Sequence, residues 1–197
     1  MESGAEVGNR PREGWQPLSQ GSSGLRRVPE PCLRRHLPSI GRPYRLFPSQ
    51  GWSGRVTQMR LGTIRQTVTL PGTPREVYDL LMTSKGHIAF TGASARISPR
   101  VGGRFMAWGG YIHGKNLSLQ AGRSIYQTWV PSDPTWPKGH ESRVRYLLTA
   151  TPRGTRVSFT HSRVPVEHVG HLSTGWKKSY WDPLRAYLSG KGATSRT

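Results

Sequence analysis

The chain has 197 residues, with 29 Lys or Arg against 10 Asp or Glu, for a formal net charge of +19. That length holds one domain and an appendage, no apolar run approaches the ~18 residues that cross a bilayer, and a single cysteine, Cys32, excludes a disulfide scaffold or a cysteine-based zinc site. Hydrophobic residues are only 34% of the chain, beside 24 Gly and 16 Pro, so an unfolded segment is expected to dilute a normal domain, while the charge points first to an acidic partner.

Residues 1–58 hold eight Gly, seven Pro and seven Ser, and their apolar residues, from Trp15 to Leu46, keep neither a helical nor a strand period. This segment is expected to be a disordered, basic, Gly/Pro/Ser/Arg-rich tail. It carries only +5 of the net charge; the other +14 lies on residues 59–197. No 7–15-residue apolar stretch follows the first charges, so the start does not read as a secretory leader, and Glu2, Glu6 and Glu13 argue against a mitochondrial presequence. A cytoplasmic location is expected. Met59 directly precedes the first patterned strand, and 23 Arg against six Lys indicate a GC-rich coding sequence, in which open frames extend upstream by chance. Translation from Met59 is therefore an expectation, with residues 1–58 outside the native protein or dispensable to it. The domain is expected over 59–190, with 191–197 disordered.

Ile64, Val68 and Leu70 alternate in Thr63–Leu70, predicting a strand. Thr73, Pro74 and Glu76 spell a helix start with a capping box, and Val77, Leu80 and Leu81 give the helix an apolar stripe that fades at Lys85-Gly86. His87–Phe90 is a short second helix. Strands follow at Ser94–Ser98, Arg104–Trp108, Tyr111–Leu119, Ser124–Val130, Ser142–Ala150 and Thr155–Ser162, with Gly109-Gly110 as a tight hairpin turn. Trp176, Tyr180, Leu184 and Tyr187 mark a C-terminal helix, which Pro183 is expected to kink or restart with Asp182 as its new cap. Strands and helices are segregated, so the class is α+β: an antiparallel sheet with a helix across one face.

Sites of reaction chemistry are scarce. Gly109–Asn116 nearly spells a phosphate-binding loop, but Asn116 lacks the hydroxyl for Mg²⁺ and a hairpin replaces the helix that would face phosphates. His168 and His171 have only Glu167 nearby, short of the three or four ligands a metal needs. The few carboxylates are drawn to capping and exposed faces, no nucleophile elbow exists, and Cys32 lies in the tail. Neither a catalytic residue, a metal nor a cofactor is expected. The tail pairs Arg26-Arg27 and Arg34-Arg35 have too little aromatic interleaving for specific nucleic-acid binding. His161 shares strand parity with Val157 and Phe159 and points inward, either as a satisfied core histidine, bonded for instance to Tyr180, or as a polar anchor in a pocket.

The segments Val101–Phe105 (VGGRF), Ile125–Trp129 (IYQTW), Trp136–His140 (WPKGH) with Ser142, Gly154-Thr155, Val164-Pro165, Gly175-Trp176 and Tyr180-Trp181 occur in one order over some 125 residues. In these the chain resembles the helix-grip (START-like, SRPBCC) superfamily, and most of all the C-terminal domain of activators of the 90-kDa heat-shock protein ATPase. The resemblance implies a curved antiparallel sheet wrapped around a long C-terminal helix, often with an apolar cavity between them. Trp108, Trp129, Tyr146, Phe159 and His161 would line that cavity from the sheet, and Trp176 and Tyr180 from the helix; these large side chains either bind a ligand or fill the space. Two departures stand out. Residues 1–58 do not resemble the separate N-terminal domain of the eukaryotic activators, and Pro183 interrupts the closing helix.

The function expected first is non-enzymatic binding of an apolar or amphipathic small molecule between sheet and helix, without membrane insertion. The alternative is a chaperone-interacting protein of the heat-shock ATPase activator type. A cavity-based hydrolase or cyclase is a remote third.

Overall fold

The computed structural model describes residues 58–194, with side chains as far as residue 190. The expected disorder of residues 1–58 therefore falls, residue 58 apart, outside the described residues, as do 195–197. The domain begins with β1 (Leu61–Leu70), α1 (Pro74–Met82), α2 (Ser84–Thr91), β2 (Arg96–Ile97) and β3 (Arg104–Ala107). β4 (Ile112–Gln120), β5 (Ser124–Pro131), β6 (Ser142–Thr151) and β7 (Gly154–Pro165) follow, and the helical end consists of α3 (Val169–Trp176), a π segment Lys177–Trp181 and α4 (Asp182–Thr194).

The seven strands form one antiparallel sheet in the order β1-β7-β6-β5-β4-β3-β2. Only the β1–β7 pairing is non-sequential, and the helix pair α1–α2 occupies the crossover. Because side chains alternate along a strand, the register sorts residues into rows. Ile64, His161, Val144, Gln127 and Asn116 form one inward row across five strands; Phe159, Tyr146 and Ile125 form the next. The inward face meets the C-terminal helix, so the sheet grips it. This is the α+β helix-grip architecture expected.

Local signals explain most boundaries. The Thr73 amide and hydroxyl both donate to Glu76 Oε2, at 2.7 and 2.9 Å, completing the capping box. Thr83 serves two helices: its amide donates to the Asp79 carbonyl at the end of α1, and its hydroxyl accepts from the Gly86 amide at the start of α2. α2 thus begins three residues before the predicted second helix. The strand predicted at Ser94–Ser98 is reduced to Arg96–Ile97, whereas β7 runs on to Pro165.

Two expectations about backbone geometry are corrected. The link from β3 to β4 is a four-residue turn, Trp108 to Tyr111, rather than a two-residue hairpin: Gly109 and Gly110 do take positive φ, 66° and 98°, but Trp108 joins them at 54°. Trp108 thereby leaves the strand that was expected to carry it. The C-terminal helix does not restart at Asp182, whose φ of −68° and ψ of −47° are helical rather than those of a cap. The turn before it widens instead, and the Asp182 amide donates to the Lys177 carbonyl, five residues back. This absorbs Pro183, which has no amide to offer Ser179. Asp182 pairs with Arg185 at 3.5 Å, and helical backbone continues to Thr194, past the predicted boundary at 190.

Candidate functional site

The space between sheet and helix holds all the residues expected to line a cavity except Trp108. Trp129, Tyr146, Phe159 and His161 project from β5, β6 and β7 and are buried, as are Trp176 and Tyr180 on the helix. Trp108 lies at the margin, half-buried, with its ring centroid 6.2 Å from that of Tyr180. Rings pack edge-on or tilted: Phe159 on Trp176 at 4.4 Å, Trp176 on Tyr180 at 4.5 Å, Trp129 on His161 at 4.8 Å and Tyr146 on Phe159 at 5.1 Å. Each such pair adds about 0.5–1.5 kcal/mol beyond its area burial. Trp181, absent from the predicted set, fills the same space 5.2 Å from Phe159, and its indole donates to Gln66 Oε1 on β1.

What remains empty is about 20 Å³, bordered by Leu81, His87, Ile97, Gln127, Tyr146 and Tyr180. One water needs roughly 10–15 Å³ and a small organic ligand several hundred. The aromatics fill the grip.

His161 is a satisfied core histidine. Trp176 Nε1 donates to its Nδ1 at 3.0 Å, so the proton sits on Nε2, which faces Ser142 Oγ at 2.8 Å. The Ser142 hydroxyl donates in turn to the Trp129 carbonyl at 2.6 Å. The expected Tyr180 partner is replaced by Trp176 and Ser142; Tyr180 Oη lies 3.2 Å from Nε2 of His87. A serine beside a buried histidine resembles half of a nucleophilic triad, but here the imidazole is a donor to the hydroxyl and cannot take its proton. Burial pushes His161 down to about 3 and His87 down to about 4, so both are neutral near pH 7. The Tyr146 and Tyr180 phenols are pushed up, also by burial.

Two functional-looking motifs resolve into structure. Asn116, where the phosphate-loop pattern fails, is fully buried. Its Nδ2 donates to the Ser98 and Arg100 carbonyls at 2.6 and 2.9 Å, its Oδ1 accepts from Gln127 Nε2 at 2.7 Å, and its backbone bonds Gly102 and Gly103. It ties the loop between β2 and β3 to the sheet. His168 is buried with its ring tilted against Trp136, centroids 5.1 Å apart, while His171 is exposed. Among the described residues no group of three or more His, Cys, Asp or Glu is placed to hold a metal ion, and no helix is long and apolar enough to cross a membrane.

Residues 71–189 match the model of a protein family described as Activator of Hsp90 ATPase homolog 1-like protein. The chain belongs to this family. An activator of 90 kDa heat shock protein ATPase homolog from Dictyostelium discoideum is 29% identical over 117 residues, which make up 59% of this chain and 30% of that protein. A second homolog, from Mus musculus, is 22% identical over 116 residues, 59% of this chain and 34% of its own. The chain thus spans about a third of the length of the curated relatives it matches. The fold superposes on an HSP90 activator from Plasmodium falciparum (TM-score 0.55, 19% identity, 66% of this chain and 96% of that one). It also superposes on the Aha1 dimer from Colwellia psychrerythraea (TM-score 0.55, 20% identity, 66% and 99%).

The expectation of a small apolar ligand is corrected by these findings. The relatives are named for acting on the ATPase of another protein, and the pocket beside the candidate aromatics, about 20 Å³, is too small for an organic ligand. The resemblance carried by short segments such as Ile125–Trp129 and Trp136–His140 agrees with the family match, and a small-molecule ligand between sheet and helix does not.

Proposed function

We propose that this domain acts by docking on another protein, a 90-kDa heat-shock chaperone, and altering its ATPase rate, with no catalysis of its own. The family match over residues 71–189 carries the reading. It is supported by the small size, about 20 Å³, of the pocket beside the interior aromatics, which favours binding through the outer surface. The absence of a base positioned to activate Ser142 supports a non-enzymatic role. A cytoplasmic location is part of the same proposal.

The test is the steady-state ATPase rate of the purified chaperone, with and without the full chain. A saturable change in rate is the expected result. An unchanged rate at saturating protein, with no complex in sedimentation, would defeat the reading.

A further inference from the structure

We infer that the outer face of the sheet, across β2–β5, is a docking groove for an acidic polypeptide segment that also carries apolar side chains. The inference deepens the protein-docking reading and rests on it. A groove of about 380 Å³ crosses these strands on the side away from the helix. Its floor includes Met106, which is 40% exposed, and Val130. Its rim is Arg96, Arg104, His113 and Lys115, all exposed.

The register builds this arrangement. Arg96 stands opposite Met106, Met106 opposite His113, and His113 opposite Val130. In the next row Arg104 stands opposite Lys115, whose amide bonds the Thr128 hydroxyl at 3.0 Å. Like charges directly opposite each other on neighbouring strands oppose folding. Among the described residues neither Arg104, Lys115 nor Arg96 makes an ion pair, and the groove's one carboxylate, Glu141, is already held by Arg143 at 3.1 Å. A cross-strand cation pair that finds no anion among the described residues offers electrostatic complementarity to carboxylates brought by a partner.

The floor distinguishes the occupant. Single-stranded nucleic acid is held by exposed aromatics on which bases stack, and the groove has none; Tyr126, the aromatic exposed on this face, lines a separate depression with Arg145. Duplexes are held by cations tracking a phosphate backbone, whereas these cations surround an apolar centre. Methionine suits a surface that accepts apolar side chains of varied shape. An acidic segment with a leucine or phenylalanine among its carboxylates matches both the floor and the rim.

The experiment uses the full chain and fluorescence anisotropy with three labelled probes: a peptide of repeated Glu-Glu-Leu, its Gln-Gln-Leu analogue, and a single-stranded dT oligomer. The acidic peptide should bind and the neutral analogue should not. Arg104→Glu with Lys115→Glu should weaken peptide binding at least tenfold, and Met106→Ala severalfold. Arg65→Glu with Arg156→Glu makes the same charge change elsewhere on the sheet and should leave binding within twofold. Equal losses in both double variants, a dT oligomer that binds as tightly as the peptide and is lost with the same residues, or no peptide binding would each overturn the inference. Melting curves check the fold of each variant; Arg96→Glu replaces the Arg104/Lys115 pair if that variant unfolds. Peptide binding without any change in chaperone ATPase would remove the chaperone reading and leave the groove standing. Stimulation of the ATPase by a protein that ignores the peptide would do the reverse.

Discussion

Trp176 Nε1 donates to His161 Nδ1 across 3.0 Å, joining the C-terminal helix to β7 at the centre of the core. That bond sets the imidazole tautomer and, through Nε2, orients Ser142 toward the Trp129 carbonyl. Removing the donor strands a buried acceptor, at a cost of about 1–3 kcal/mol, and the smaller ring adds a cavity term. Trp176→Phe should therefore lower stability by about 2–4 kcal/mol. Urea denaturation should show a lower midpoint at unchanged slope; a loss below about 0.5 kcal/mol would contradict this account of the core.

Acid should destabilise the domain through two histidines. His161 is held down to about 3 and His87 to about 4, both by burial, while the unfolded chain titrates near 6.5. Above pH 6.5 both are neutral in either state and their contribution is fully present. As the pH falls below 6.5 the unfolded chain binds protons that the folded one does not. Stability should drop by about 1.4 kcal/mol per pH unit for each histidine, until His87 protonates in the fold near 4 and His161 near 3. Urea midpoints measured from pH 7.5 to 5 should fall with a slope of about two protons; a flat profile would refute the buried neutral pair.

Asn116 should be a stability determinant rather than a ligand residue. Asn116→Ala removes the amide bonds to Ser98, Arg100 and Gln127 and leaves buried partners unpaired. The expected cost is about 2–4 kcal/mol. Hydrogen exchange should rise first at Gly102, whose amide donates to the Asn116 carbonyl at 2.8 Å. Unchanged protection there would count against the tether.

Thr73→Ala tests the α1 cap. Losing the two hydroxyl bonds, one accepted from the Glu76 amide and one donated to its carboxylate, should cost about 1 kcal/mol and lower Tm. The site is remote from the outer groove, so binding of the acidic peptide should not change.

Much of the fold was legible because its signals are local. The alternation of Val157, Phe159 and His161, and the spacing of Thr73 and Glu76, carry their structure within a few residues. The parts that were not legible depend on distant partners. His87 shows no motif, yet 93 residues separate it from the Tyr180 hydroxyl it meets. Trp108 has strand parity but a φ of 54°, set by a turn shared with two glycines. Of the aromatic site, the members could be read from parity; whether they enclose a space or occupy it depended on ring orientations, and Trp181 decided part of the matter by turning inward beside Tyr180.

The widened turn at Lys177–Trp181 also works as a phase shift. An α-helix advances about 100° per residue, so Tyr180 and Trp181 would ordinarily diverge, one inward and one aside. With one residue too many in that turn, both indole and phenol are stowed under the sheet, and Leu184 and Leu188 still come round to face it. Deleting a residue there would give a more regular helix that presents the wrong side for the rest of its length. The irregular turn is what lets two consecutive large rings share one interior.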